Sequence, residues 1–254
     1  MFSLAGKKAV VIGIANEESI AFGCAKAFHA QGAEIAVTYQ NEHAERFVRP
    51  LAEKLNASII LPLDVCEEPQ FERLFQIIGK RWGQIDICLH SVAFCPKQDL
   101  RVRVVDCSYD GFATAMDISV YSFIRLVRWA EPLMMQGGVC MTVSFLGAER
   151  VVEHYNIMGP VKAALESTAR YMAAELAPKK IRVHALSPGP LKTRAASGID
   201  HFDELLNEAA ARAPTHQLAS IEDVGAYAAF LASAEAANVT GGIHYIDGGY
   251  HIVG

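Results

Sequence analysis

KAVVIGIANEESIA, residues 8–21, decides the fold. Its first half is an apolar, β-branched run that stops at Gly13, and a helical pattern opens at Ser19. A strand, a tight turn and a helix in that order make the first unit of a βαβ fold. The helix N-terminus then points at the carboxyl end of the strand, where a pyrophosphate is held in such folds. The turn is not G-x-G-x-x-G, so Gly13 alone reads equally well as a plain strand-to-helix turn.

The same pattern recurs outward along the chain. Residues 34–38 (EIAVT), 58–63 (SIILPL), 85–91 (IDICLHS), 138–144 (GVCMTVS), 181–186 (IRVHAL) and 243–246 (IHYI) read as strands, alongside 8–13. Most are continuously apolar rather than alternating, as in a sheet covered on both faces. Helical patterns lie between them at 19–31, 42–54, 67–81, 109–134, 155–176 and 221–232, with Gly32 placed to end the first. This alternation predicts right-handed crossovers and an α/β, Rossmann-like, doubly wound fold. Its sheet would be seven-stranded and parallel, flanked by helices on both faces, with residues 1–254 forming one domain. Ligands of such sheets bind beyond the carboxyl ends of the strands.

The 254 residues carry a net charge of −5 and are 52% hydrophobic, which excludes a disordered chain and argues against nucleic acid as the main partner. The six cysteines include no CxxC pair and several sit in apolar runs, which suits reduced thiols in a cytoplasm. The run Ala9–Ala15 is too short to span a membrane and has no signal-peptide cleavage pattern. The nine histidines show no metal-ligand spacing, so no metal is expected.

Two strand ends carry polar residues. Gln40, after the second strand, can hydrogen-bond a ribose diol but offers no positive charge to a 2′-phosphate, which favours NADH over NADPH. Asp64, after the third, can accept from an adenine amino group or equally cap the next helix.

The richest segment is SFLGAERVVEHYNIMGPVK, residues 144–162. Tyr155 and Lys162 are separated by seven residues, about 700° on a helix and thus nearly two whole turns. A helix beginning at 155 would carry phenol and ammonium on one face. That pair suits reductase chemistry, with the phenol at a substrate oxygen and the ammonium at a nicotinamide ribose. On spacing alone an ordinary surface pair is the commoner arrangement; the position after the fifth strand favours chemistry. The more common short-chain dehydrogenase pattern, Tyr-x-x-x-Lys, is absent.

With GIANEESIA (13–21), TYQN (38–41), LDV (63–65), HSVAF (90–94), GAER (147–150), YNIMGPVKAALE (155–166), GPLKTRAASGI (189–199) and IDGGY (246–250), the chain resembles the bacterial NADH-dependent enoyl-acyl-carrier-protein reductases. These are a divergent branch of the short-chain dehydrogenase/reductase superfamily, and the likeness runs nearly end to end. It implies reduction of trans-2-enoyl thioesters by NADH in fatty acid synthesis. Tyr155 would be the catalytic hydroxyl and Lys162 the catalytic ribose lysine. Gly13, Ser19, Ile20, Gln40, Asp64, Val65, Val92, Leu191, Lys192, Thr193, Arg194 and Ala195 would join Lys162 at the dinucleotide. Cys95, Phe145 and Tyr155 would face the substrate, and residues 191–214 would form a flap over it. A homotetramer is implied, packed through the helices at 109–134 and 155–176, with an acyl carrier protein or CoA thioester as substrate.

The chain also departs from the family pattern. Phe145 stands where relatives often carry a second tyrosine, and Ala93 where glycine is common. Glu17 and Glu18 flank the expected pyrophosphate turn and must point outward to be tolerated. The resemblance places basic residues on the flap helix, whereas this chain has Asp200, Asp203 and Glu204. Other readings are a carbonyl-reducing short-chain dehydrogenase or a non-catalytic NAD-binding protein. The missing Tyr-x-x-x-Lys counts against the first, and the retained Tyr155 and Lys162 against the second.

Overall fold

The computed structural model describes residues 2–193 and 202–253. Seven parallel strands form one sheet in the order β3-β2-β1-β4-β5-β6-β7. They are β1 (Lys8–Ile12), β2 (Glu34–Tyr39), β3 (Ile59–Pro62), β4 (Ile87–His90), β5 (Gly138–Val143), β6 (Ile181–Pro188) and β7 (Ile243–Ile246). The doubly wound, Rossmann-like α/β arrangement is therefore the one the sequence predicts. Its direction of growth reverses between β1 and β4, which pair in register from Ala9↔Ile87 to Ile12↔His90. A crevice opens at such a reversal.

Helices cover both faces. On one lie α1 (Ile20–Ala30), α2 (Glu42–Lys54) and α9 (Ile221–Ala232). Phe28, Val48, Leu51, Val224 and Ala228 seal that layer against Val11, Val37 and Leu89. On the other lie α3 (Glu68–Trp82), α6 (Ser122–Ala130) and α7 (Met158–Leu176), whose Phe71, Leu74, Phe123, Leu126, Val161 and Leu165 pack on Val10, Cys88 and Cys140. Phe28, Phe71 and Phe123 are wholly buried, and truncating such a ring costs about 3–5 kcal/mol. Helices α1 and α9 touch backbone to backbone. A Cβ on Gly225 would stand 2.4 Å from the Gly23 carbonyl oxygen, and one on Gly23 would stand 2.3 Å from that of Ile221.

Two expectations need correction. The helical pattern at 109–134 is not one regular helix. After the single turn α4 (Lys97–Leu100), α5 (Tyr109–Met116) runs into a π-helical turn over Asp117–Tyr121 before α6 resumes. Ser122 is the reason visible in the structure: its hydroxyl donates to the Ile118 carbonyl at 2.6 Å, and such back-bonding loosens the regular ladder. The second correction concerns Tyr155. Helix α7 begins at Met158, so Tyr155 precedes it. His154 and Asn156, on either side, have φ of 62° and 45°, a left-handed conformation that ends helical continuity. Tyr155 and Lys162 do not share a helical face.

In the segment expected to form a flap, residues 191–214, α8 (Phe202–Arg212) is helical. Arg194, Ala195 and Asp200 lie outside the described residues.

Candidate active site

The site assembles where β1, β4 and β5 end. The turn after β1 must pass against the strand end of β4. Gly13 has φ 110°, and a Cβ there would fall 2.1 Å from the Ser91 carbonyl oxygen. Only glycine fits, so this residue brings the first turn into the crevice. Ser19 then braces the turn: its Oγ accepts from the Ala15 and Asn16 amides, both at 3.0 Å, and donates to Asn16 Oδ1 at 3.1 Å. Helix α1 starts at the next residue, Ile20, with no acidic residue in its first turn and no side chain capping it. Its positive end is open to an anion. Glu17 and Glu18 are exposed, and Glu17 is drawn outward by Lys54 on α2 at 2.8 Å.

The end expected to take adenosine is framed by β2 and β3. Gln40 is exposed, and its Nε2 donates to Asp64 Oδ2 at 3.3 Å. Asp64 does not cap α3, whose N-cap is Glu67; its Oδ1 accepts instead from the Cys66 amide at 3.0 Å. Val65 beside it is buried and Val92 half-buried against the core. Leu191 packs on the α1 side of the sheet. Lys192 pairs with Asp203 of α8 at 3.2 Å, and Thr193 donates its amide to the Leu191 carbonyl at 2.8 Å.

The residues expected to be catalytic lie by the ends of β4 and β5. Lys162 is buried, and its Nζ donates to the Val143 carbonyl at 2.6 Å. Burial pulls its ammonium down to about 8, against the opposing negative charge of Glu166. Tyr155 is buried too, its ring edge-on to Phe145 at 4.9 Å and 65°. Burial, aided by the charge of Glu166, holds the phenol protonated well beyond its ordinary range; the side chain is a hydrogen-bond donor and not a phenolate. Phe145 thus acts as a wall for the Tyr155 ring. Gly147 is the second wall, since a Cβ there would stand 2.4 Å from the ring. Asn156 ties the same turn to α4, at the end of the loop that follows β4, donating from Nδ2 to the Leu100 carbonyl at 2.9 Å. Cys95, in that loop, is buried, which pushes its thiol up to about 11; it offers apolar bulk rather than a nucleophile.

Besides Ser144, whose place matches the substrate serine of the wider superfamily, the structure places residues to which the sequence reading gave no role. His90, at the end of β4, is wholly buried between Thr142 Oγ1 at 3.1 Å and Ser122 Oγ at 2.7 Å. Ser122 gives its proton to Ile118, so it accepts from His90 Nε2–H, and Nδ1 accepts from Thr142. Burial first, then the Lys162 charge, pulls the imidazole down to about 3. Ser119, in the π turn, holds the Phe94 amide at 3.1 Å. Ser144 donates to Glu166 Oε1 at 2.6 Å. A polar residue closing an apolar strand, as at His90, and a carboxylate four residues beyond Lys162 were the available signals.

A second buried imidazole, His184 on β6, is also pulled down to about 3, by burial and then by His244 and Arg182. His90 and His184 are thus neutral in the folded chain and take up protons on unfolding below about pH 6.5. Their stabilising effect is complete above about pH 6.5 and is lost towards pH 3, at up to about 1.4 kcal/mol per pH unit for each. Urea unfolding between about pH 7 and 5 should show stability falling with pH; flat or rising stability contradicts the assignment.

The sequence model of the family described as enoyl-(acyl carrier protein) reductase matches residues 13–251. The chain belongs to that family. It is 45% identical over 249 residues to enoyl-[acyl-carrier-protein] reductase [NADH] 1 of Rhizobium meliloti, covering 98% of this chain and 92% of that protein. The crystal structure of the Anaplasma phagocytophilum enoyl-(acyl-carrier-protein) reductase in complex with NAD superposes with a TM-score of 0.96 at 44% identity, covering 100% of this chain and 97% of that one. The Bacillus cereus reductase, solved with NADP+ and an indole naphthyridinone, gives 0.97 at 42% identity, with both chains fully covered. The likeness to short-chain dehydrogenases thus narrows to the enoyl-reductase branch.

Proposed function

We propose that this chain reduces trans-2-enoyl thioesters, carried on acyl carrier protein or CoA, to saturated acyl thioesters with NADH. The single observation that carries this reading is the pair of buried side chains at the strand ends of a family member, a protonated Tyr155 ahead of α7 and an anchored Lys162 on it. NADH supplies the hydride. Gly13 lets the first turn into the crevice, the open end of α1 faces the pyrophosphate, and Gln40 and Asp64 face the adenosine. Ile20, Val65, Val92, Leu191, Lys192 and Thr193 complete that lining by resemblance. Lys162 holds the ribose and thereby fixes which nicotinamide face meets the substrate. Tyr155 donates its hydrogen bond to the thioester oxygen as negative charge grows there, a positioned donor that acts mainly on the transition state. Phe145 and Gly147 aim that donor, and Cys95 supplies apolar wall. The test is NADH oxidation with an enoyl-CoA, with a β-ketoacyl thioester and with no acceptor. Only the first should react.

Choice of nucleotide follows from β2 and β3. A 2′-phosphate beside Gln40 would meet the Asp64 carboxylate that Gln40 already touches. One such repulsion near a protein surface is worth over about 1 kcal/mol, so NADPH should be poorer by roughly tenfold or more. The Bacillus cereus relative was solved with NADP+, so the fold itself does not exclude the phosphate. Equal kcat/KM for both donors would remove this reading of Gln40.

We further propose a cytoplasmic homotetramer. Among the described residues no helix is long and apolar enough to cross a membrane, and the six cysteines are free. Tyr109 and Phe112 of α5, Tyr121 of the π turn and Tyr171 of α7 are exposed aromatics on the helices expected to pair. Sedimentation should give four copies; a monomer at micromolar concentration contradicts it.

A further inference from the structure

Strand β5 ends by gripping α7 twice. The Val143 carbonyl takes Lys162 Nζ, and the next residue, Ser144, gives its hydroxyl proton to Glu166 Oε1, both at 2.6 Å. Lys162 and Glu166 are four apart on α7 and share a face. Ser144, Lys162 and Glu166 are all buried. A buried carboxylate is costly unless held, and here its anchor is the residue next to the one that anchors the lysine.

We infer that Glu166, fixed by Ser144, is a positioning residue that keeps Lys162 charged and aimed for the cofactor. The inference rests on the ribose role proposed for Lys162. Burial pulls the lysine down to about 8 even with the carboxylate present, so loss of that charge would discharge it nearer neutral pH. The groups around the pair come from five segments. His90 of β4 is held neutral, and Tyr155 keeps its proton. Burial raises the Glu166 carboxyl above its ordinary range; the Ser144 hydrogen bond, Arg170 of α7 and Lys162 lower it, and Glu149 after β5 raises it further. From the β7 side Tyr245 donates to Glu149, near Asp247. Glu166 is the carboxylate that acts on Lys162 against its burial.

The test is the NADH dissociation constant, read by fluorescence from about pH 6 to about 9.5, for the wild type, E166Q, E166D, S144A and K162A. E166Q keeps an oxygen for Ser144 and removes only the charge. Its alkaline loss of NADH affinity should begin about one pH unit or more below that of the wild type, the shift expected from one nearby opposite charge. At the acid end its affinity should remain close to that of the wild type. S144A should move the same way by less, and E166D should restore the wild-type profile. A role as a mere stitch predicts an E166Q profile that coincides with the wild type, or that is weaker by one factor at every pH; either result overturns the inference. If E166Q does not fold, S144A carries the test, and an unshifted S144A profile overturns it. K162A with wild-type NADH affinity would instead remove the ribose role beneath it.

Discussion

Tyr155→Phe should lower kcat on an enoyl thioester by about 10²–10³-fold, the usual loss when one donor to a developing oxyanion is removed. NADH affinity should hardly change, because the role proposed for the phenol is at the substrate and not at the dinucleotide. The substitution keeps the ring against Phe145 and Gly147, so the fold has no reason to move. Lys162→Ala should do the reverse. In the proposed ribose role it removes charge-assisted bonds worth about 1.5–3 kcal/mol each, so NADH should bind ten- to a hundredfold or more weakly. Turnover and binding measured separately on both variants decide the roles. A Tyr155→Phe enzyme that loses NADH but keeps turnover per bound cofactor would invert them.

The second large effect concerns the carrier. Acyl carrier proteins are acidic, so their dock should be basic, yet α8 presents Asp203 and Glu204, preceded by Asp200. Exposed charge pairs are worth about 0.2–1 kcal/mol each, so three attractions replaced by three repulsions remove roughly 1–6 kcal/mol of docking before screening. The structure trims this figure, since Asp203 already faces Lys192. Preference for carrier-bound over CoA-bound enoyl chains should accordingly be small. kcat/KM for one chain on both carriers measures it. A large preference that collapses with added salt would show a basic dock elsewhere on the surface.

How far the sequence reaches differs between sheet and site. The seven strands were legible because a sheet covered on both faces writes long apolar runs, and the parallel order followed from the helices between them. Helix α2 (Glu42–Lys54) was legible to the residue because Asn41 caps it and accepts from the Ala44 amide. The start of α7 was not, because His154, Tyr155 and Asn156 carry no glycine or proline to announce the left-handed backbone. The π turn was hidden likewise, since Ser122 looks like any small residue on an apolar helix. Tyr155 and Lys162 stood out by residue type. Their supports, Gly147, Glu166 and His90, depend on contacts between segments far apart in the chain, which local spacing does not encode.

The turn that carries Tyr155 changes what the seven-residue interval means. On one helix, Tyr–Lys spacing would be a phase, and one residue more or less would swing the phenol about 100° away. Here Tyr155 sits on a short leash ahead of α7, and the walls at Phe145 and Gly147 choose where its ring comes to rest. The interval is therefore a reach, and a reach has slack. A leash one residue longer could still let the ring settle against the same two walls, so the chemistry asks less of the interval than of the walls.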